Sequence, residues 1–332
     1  MANAAMTYEN KPLDIVRSWL SLEKYGLLVA FILMMLGFSV LQLLGYVNNF
    51  IEIHNLTNQM RNASLLFFIV AGQSMVLLVS GIDLSQGSLL SLSSVVMAQG
   101  ILDFGIAVGV LMGFGIAIMF GYINGFLVGR VKIQPFIVTL SMLFICAGIA
   151  LVFTGGRTIH QFTDAQKDIL QTIGLTDFFH IPGTMFIAVA FFIVLHLILT
   201  RTALGRAIYL TGGNEEAARL SGIDTGKVKL ICYLISGITV AFTSFLYLAR
   251  LPATNGLAGF QLEFQSLAAA VVGGTTFHGG EGGVIQAVLG TLFIVFLLNG
   301  LILLGVGTFA REVALGVMLI AAVVISARRR RE

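Results

Sequence analysis

Apolar residues fall in long blocks along this chain, and the polar residues gather between the blocks rather than alternating within them. A helix needs about 20 mostly apolar residues to cross the hydrocarbon core of a bilayer. Ten blocks meet or approach that length: about 25–44, 63–80, 87–102, 105–128, 136–153, 183–200, 230–250, 264–277, 284–304 and 311–327. The third and eighth are short and border glycine-rich breaks. The pattern predicts an all-α polytopic membrane protein of about ten transmembrane helices. It divides into an N-terminal tail (1–24), a membrane domain (25–327) with a polar loop at 201–229, and a basic tail (328–332).

Composition agrees. Of 332 residues, 57% are hydrophobic and 11% charged, whereas soluble domains carry about 25% charged residues. The first block is too long for a signal-peptide core and has no small-residue cleavage site, so it reads as an uncleaved span. Basic residues mark the cytoplasmic loops of membrane proteins. With ten spans and both termini inside, the inner side takes 14 of the 19 Lys and Arg residues, including Arg130, Lys132, Arg201, Arg206, Arg219, Lys227 and Lys229. The outer side keeps Arg61, Arg157, Lys167, Arg250 and Arg311.

Two stretches repeat. "GIDLSQGSLL" (81–90) aligns with "GFQLEFQSLA" (259–268), and "INGFLVG" (123–129) with "LNGLILLG" (298–305). Gly81, Leu84, Ser88 and Leu89 match Gly259, Leu262, Ser266 and Leu267; Asn124–Gly125 matches Asn299–Gly300. Spans 2–5 therefore recur as spans 7–10. Five spans separate the copies, so they lie inverted, an arrangement common in transport proteins with interrupted helices. Small residues also recur every four positions in the fourth span, from Gly109 to Gly129, on a ridge that admits a close neighbouring helix.

Few residues could do chemistry. An acid inside a span costs about 2.5–3.5 kcal/mol on insertion scales. Asp83 reads as the N-cap of the third span, with Gln86 closing a capping box; the alternative is a substrate contact. Glu263 stands at the matching break. The residues at helix breaks or facing a pathway are expected to be Asp83, Ser85, Asn124, Gln261, Glu263 and Asn299. The run "GGTTFHGGEGG" (273–283) is not a phosphate loop, because no Gly-x-x-x-x-Gly-Lys-Ser/Thr occurs. It reads as a tight turn between helices, with His278 as a turn residue. Cys146 and Cys232 lie in separate apolar runs and read as filler. No catalytic set, metal cluster or nucleic-acid signature stands out, so neither an enzyme nor a directly bound cofactor is expected.

The polar loop carries a short helix, "GGNEEAARLSGI" (212–223). Asn214 suits an N-cap, Glu215 and Glu216 the first turn, Ala217 and Ala218 the body, Arg219 the end, and Gly222 the stop. A helix this short is not stable alone. It needs a partner to pack on.

"EAARLSG" (216–222) resembles the EAA-type loop of ATP-binding-cassette importer permeases, the helix that docks on an ATPase subunit. Together with "SGIDLSQGSLL" (80–90), "TALGRAIYLTGGNEEAARLSGI" (202–223) and "AAAVVGGTTFHGGEGGVIQAVLGT" (268–291), it resembles the ribose-type sugar permeases from about residue 25 to 327. The resemblance implies a bacterial inner-membrane subunit that forms the pathway of a sugar importer. It implies a second permease subunit, identical or not, a cytoplasmic ATPase that uses ATP and Mg, and a periplasmic or surface sugar-binding protein. It also implies that Gly213, Asn214, Glu215, Glu216, Ala217, Ala218, Arg219 and Gly222 couple the chain to the ATPase. The family commonly has Glu-Leu-Asp where this chain has Gln261-Leu262-Glu263, and small or hydroxyl residues where it has Glu281 and Gly283. These departures leave the substrate open; a nucleoside, a branched-chain amino acid or a furanose signal molecule is the alternative cargo. A secondary transporter is disfavoured, because the acids sit at breaks rather than within spans.

Overall fold

The computed structural model describes residues 22–329. The N-terminal tail up to residue 21 and the last three residues of the basic tail lie outside the described residues. The elements are α1 (Leu22–Leu43), α2 (Ile53–Leu78), α3 (Gln86–Phe104), α4 (Ile106–Gly129), α5 (Pro135–Thr154) and α6 (Asp164–Leu175). A two-residue hairpin follows, β1 (Asp177–Phe178) antiparallel to β2 (Ile181–Pro182). Then come α7 (Gly183–Arg201), α8 (Ala203–Gly213), α9 (Glu215–Leu220), α10 (Thr225–Arg250), α11 (Leu262–Gly273), α12 (Val284–Leu303) and α13 (Thr308–Arg329).

Eight of these helices are long and apolar enough to cross a membrane: α1 to α5, α7, α10 and α12. The expected span 311–327 falls in α13, which is helical over 22 residues. The expected span 264–277 is corrected. It is α11, a helix of 12 residues, about 18 Å long at 1.5 Å per residue against a core of about 30 Å. Positive φ at Gly274 stops it, where the sequence pattern had run on to 277. The second span is also longer than hydropathy implied. α2 begins at Ile53, because its first turns pack through polar residues: Asn55 and Gln59 on one face and Thr57, bonded to the His180 carbonyl, on another.

The repeat is visible in the packing. α3 packs on α4 and α5, as α11 packs on α12 and α13. α10 packs on α3 and α4, as α2 packs on α11 and α12. α2 and α10 pack on each other. Exchanging α2 with α10, α3 with α11, α4 with α12 and α5 with α13 maps these contacts onto themselves. The two copies meet at their breaks, where Gly87 and Gly259 touch so closely that a side chain on either would strike the other's backbone.

The small-residue ridge of α4 is used on two neighbours. Gly109 and Gly113 press on Ile101 and Met97 of α3, while Gly121, Gly125 and Gly129 press on Gly237, Leu230 and Gly226 of α10. Gly121→Leu would meet backbone rather than a movable side chain. Overpacking of this kind costs about 1–3 kcal/mol or more. The expected outcome is a thermal midpoint lowered in detergent-solubilised protein, measured against wild type.

Apolar side chains point outward on α1 (Ile32, Leu33, Leu36), α5 (Phe144, Val152) and α13 (Val313). They form the surface offered to lipid or to another subunit. α2 lies at the centre, with Phe67, Phe68 and Met75 buried among α7, α10 and α12. α6 crosses the end of the bundle opposite α9. A capping box between Thr163 and Gln166 starts it, Gln166 Nε2 donates to the Ile101 carbonyl at 3.0 Å, and Gly174 sits against the backbone of Ala249.

Candidate functional site: a coupling loop, two helix breaks and a polar cavity

Three places carry the polar chemistry. The first is the loop at 201–229. Its first part, unforeseen in the sequence reading, is α8, capped by Thr202, whose Oγ1 accepts from Gly205 N–H at 3.1 Å. α9 follows as expected. Asn214 Oδ1 accepts from Ala217 N–H at 2.9 Å, and Gly222 ends the helix with φ +84°. Ser221, Gly222 and Ile223 N–H donate back to the carbonyls of Ala217, Arg219 and Ala218. Glu216 pairs with Arg219 at 2.7 Å, and Glu215 with Lys229 of α10 at 2.6 Å. Gly213, Ala217 and Leu220 are exposed, and Ala218 is buried against the bundle. Arg130 at the end of α4 grips both oxygens of Asp224, the N-cap of α10, at 3.1 and 2.9 Å. The Asp224 carboxyl is held below the usual carboxylate range, first by the Lys227 N–H and then by Arg130.

This loop is keyed onto the end of α2 and the glycine-rich turn after α11. Buried Gly212 lies against the Leu78 carbonyl and the Gly280 N–H, and a Cβ there would overlap both. Gly280 N–H donates to that same Leu78 carbonyl at 3.0 Å. Ser80 Oγ lies 2.6 Å from the His278 carbonyl and 3.2 Å from that of Gly212. Tyr209 OH donates to Gly282 O at 2.9 Å. The glycine-rich run is thus a turn, as expected, but one that joins the ends of α2 and α8. Its positive φ values at Gly279, Gly280 and Gly282 favour glycine.

The second place is the break before α3. The expected N-cap role of Asp83 is corrected: α3 starts at Gln86, and Ser85 is its N-cap. Asp83 Oδ1 accepts from Ser85 N–H (3.0 Å) and Ser85 Oγ (2.6 Å), and its Oδ2 from Ser236 Oγ (2.8 Å). Gln86 does not turn back to close a box. Its Nε2 donates to Ser236 Oγ at 2.9 Å, and its Oε1 accepts from Ser266 Oγ at 2.9 Å. Asn124 Nδ2 donates to Ser85 Oγ at 2.9 Å. One buried network therefore ties the break to α3, α4, α10 and α11. Glu263, in the matching break, is buried with Oε2 against Gly87. Gln261 adopts φ +68° where α11 begins.

The third place is a cavity of about 780 Å³ between α2, α10, α11 and α12. It carries Arg61, Arg250 and Arg311, three of the basic residues that charge pattern assigns to the outer side. Arg61 pairs with Asp177. Of the expected pathway residues, Asn299 lines this cavity; Asp83, Ser85, Asn124, Gln261 and Glu263 do not. Sequence reading missed Asn58, Gln59 and Asn62. The signal was there: "NLTNQMRN" (55–62) places amides at helical spacing on one face just before an apolar block.

α10 is 26 residues long, about 39 Å. Lys227 and Lys229 stand at one end and Arg250 at the other, so coupling loop and cavity occupy opposite faces of the bundle.

The chain was compared with known proteins. Residues 55–325 match the family model described as the permease component of branched-chain amino acid transport systems. The ribose import permease of Escherichia coli (strain K12) is 35% identical over 85% of this chain and 88% of its own. The D-allose transport system permease of the same organism is 34% identical over 96% and 94%. The fructose import permease of Rhizobium meliloti is 32% identical over 90% and 83%. No solved structure matches. An all-α membrane bundle with an internal repeat, a keyed surface helix and this similarity over most of its length makes the chain a member of the permease family of sugar-importing ATP-binding-cassette transporters.

Proposed function

We propose that this chain carries a monosaccharide across the bacterial inner membrane as one of two permease subunits, driven by a cytoplasmic ATPase that seats on α9. The observation that supports the reading is the keyed loop. The exposed helix Glu215–Leu220 follows directly on the end of α8, where Gly212 lies against Leu78, Ser80 and Gly280, at the end of α2 and in the turn after α11. A displacement of α9 by its partner therefore moves the break after α2 and the turn after α11 together.

ATP and Mg are used by the ATPase, and a binding protein delivers sugar to the opposite face. The permease supplies a two-state pathway rather than bond chemistry, so its work is a population shift between inward and outward forms. Both termini lie in the cytoplasm on this reading. Reporter fusions at Lys167 and at the C-terminus should mark opposite sides of the membrane, and finding both on one side would contradict the topology.

The functional test is reconstitution. Permease, ATPase and binding protein in proteoliposomes should take up ribose, fructose or allose only with ATP present. Permease alone should hydrolyse no ATP and accumulate no sugar. Uptake by the permease alone would favour a secondary transporter.

A further inference from the structure

The polar cavity holds a feature that the coupling mechanism does not use. Its wall carries a continuous row of side-chain amides. Arg250 Nη1 donates to Asn62 Oδ1 at 2.5 Å, Asn62 Nδ2 to Gln59 Oε1 at 2.9 Å, and Gln59 Nε2 to Asn55 Oδ1 at 3.1 Å. Asn55 Nδ2 then donates to Asn299 Oδ1 at 2.9 Å, and Asn299 Nδ2 returns to Asn55 Oδ1 at 3.1 Å. Each link orients the next amide, so the row is fixed before any ligand arrives. Every amide has two N–H groups and two lone pairs on its oxygen. Those not spent within the row are available to the cavity, and Asn58 adds one more amide to the lining.

The rest of the lining differs. Leu66, Ile69, Leu90, Tyr247, Phe260 and Leu262 present apolar and aromatic surface. The volume lies within the usual range for small-molecule sites, about 300–1,000 Å³.

These features select a ligand. A monosaccharide carries hydroxyls that both donate and accept, as amides do, and it has C–H faces that pack on aromatic rings. A zwitterionic amino acid also brings an ammonium group, for which a carboxylate is the strongest partner. The lining holds three arginines and not one Asp or Glu, so it offers an ammonium group no counter-charge.

We propose that each permease subunit contains its own monosaccharide site, read by the amides Asn62, Gln59 and Asn299 and floored by Tyr247 and Phe260. This rests on the reading of the chain as a sugar permease and adds where, and by which residues, the sugar is recognised. The site lies within one subunit rather than only between two, and its lining, with no carboxylate for an ammonium group, favours a sugar over a branched-chain amino acid.

The test is protection from labelling in the intact permease–ATPase complex without binding protein. Gln265, partly exposed on the cavity wall, is replaced by cysteine (Gln265→Cys). The native Cys146 and Cys232 are buried. Labelling by a charged methanethiosulfonate is followed with D-ribose, D-fructose, D-allose or L-leucine present at high concentration. At least one sugar should slow labelling fivefold or more, and leucine should not. In the Gln265→Cys background, Asn62→Ala should raise the sugar concentration needed for half-protection at least tenfold. Asn58→Ala, a milder change at an amide outside the row, should raise it less. Protection by none of the three sugars, or equal protection by leucine, overturns the proposal. So does protection that Asn62→Ala leaves unchanged. Uptake through the wild-type complex, measured in parallel, separates the two failures: uptake of a sugar that does not protect refutes the site and leaves the transporter reading intact.

Discussion

Replacing Gly212 by leucine is expected to abolish sugar uptake while leaving the ATPase bound. Gly212 is the penultimate residue of α8, next to the exposed Gly213, and it is buried against the Leu78 carbonyl and the Gly280 N–H. Those two groups are hydrogen-bonded to each other at 3.0 Å. Any side chain at 212 must push them apart, and both belong to backbone that no rotamer change can move. Helix propensity alone would favour the change, by up to about 1 kcal/mol in a helix interior, so a loss would come from the contact and not from a poorer helix former in α8. α9 itself keeps its cap at Asn214 and its stop at Gly222, so it can still seat on its partner. The link from that partner to the end of α2 and the turn after α11 is what fails. Uptake should fall at least tenfold, ATPase recovery with the permease should stay normal, and ATP hydrolysis should stop responding to binding protein. Gly212→Ala should show the same pattern more weakly. Normal uptake in Gly212→Leu would mean that the junction transmits nothing.

The second large effect is expected at Asp83. Its carboxyl accepts three hydrogen bonds in a buried site, from Ser85 N–H, Ser85 Oγ and Ser236 Oγ. Asp83→Ala strands all three donors. Each buried group left without a partner costs about 1–3 kcal/mol, so a loss of about 3 kcal/mol or more is expected. The damage spreads, because Ser85 also holds Asn124 and Ser236 also holds Gln86. Asp83→Asn should recover part of the loss, since its amide oxygen can still accept from Ser85. Thermal unfolding of the purified permease should therefore rank wild type above Asn and Asn above Ala. Equal midpoints for Ala and wild type would show that water replaces the carboxyl without penalty.

Much of this architecture was legible in the sequence, and the reasons are physical. Eight spans stood out because each is a run of apolar residues longer than any turn. The repeat stood out because the two breaks share small, polar and apolar residues at matching positions, Gly81, Leu84, Ser88 and Leu89 against Gly259, Leu262, Ser266 and Leu267. α9 was legible from its caps alone. What stayed hidden was set by tertiary contact. The start of α2 is helical but polar, so a hydropathy pattern stops short of it. α11 borders a glycine-rich turn whose apolar flanks imitate a full span. α6 and its capping box lay in "FTDAQKD" (162–168), a signature present but unread. Asp83 and Gln86 have the spacing of a capping box, yet their true partners, Ser236 and Ser266, lie 153 and 180 residues away. The cavity was the least legible feature, because Asn62, Arg250 and Asn299 come from three different helices.

The central claim is that α9 is where the ATPase takes hold. Leu220 is an apolar side chain left 79% exposed on that helix, and Gly222 sets its end through a positive φ that other residues adopt at a cost of about 1 kcal/mol. The most direct measurement is recovery of the ATPase with affinity-purified permease from membranes, for wild type, Leu220→Glu and Gly222→Leu. Both variants should reach the membrane in normal amount, because neither residue lies in a span, and both should lose the ATPase by fivefold or more. Recovery at the wild-type level in both would contradict the account and leave Glu215–Leu220 as a solvated surface turn.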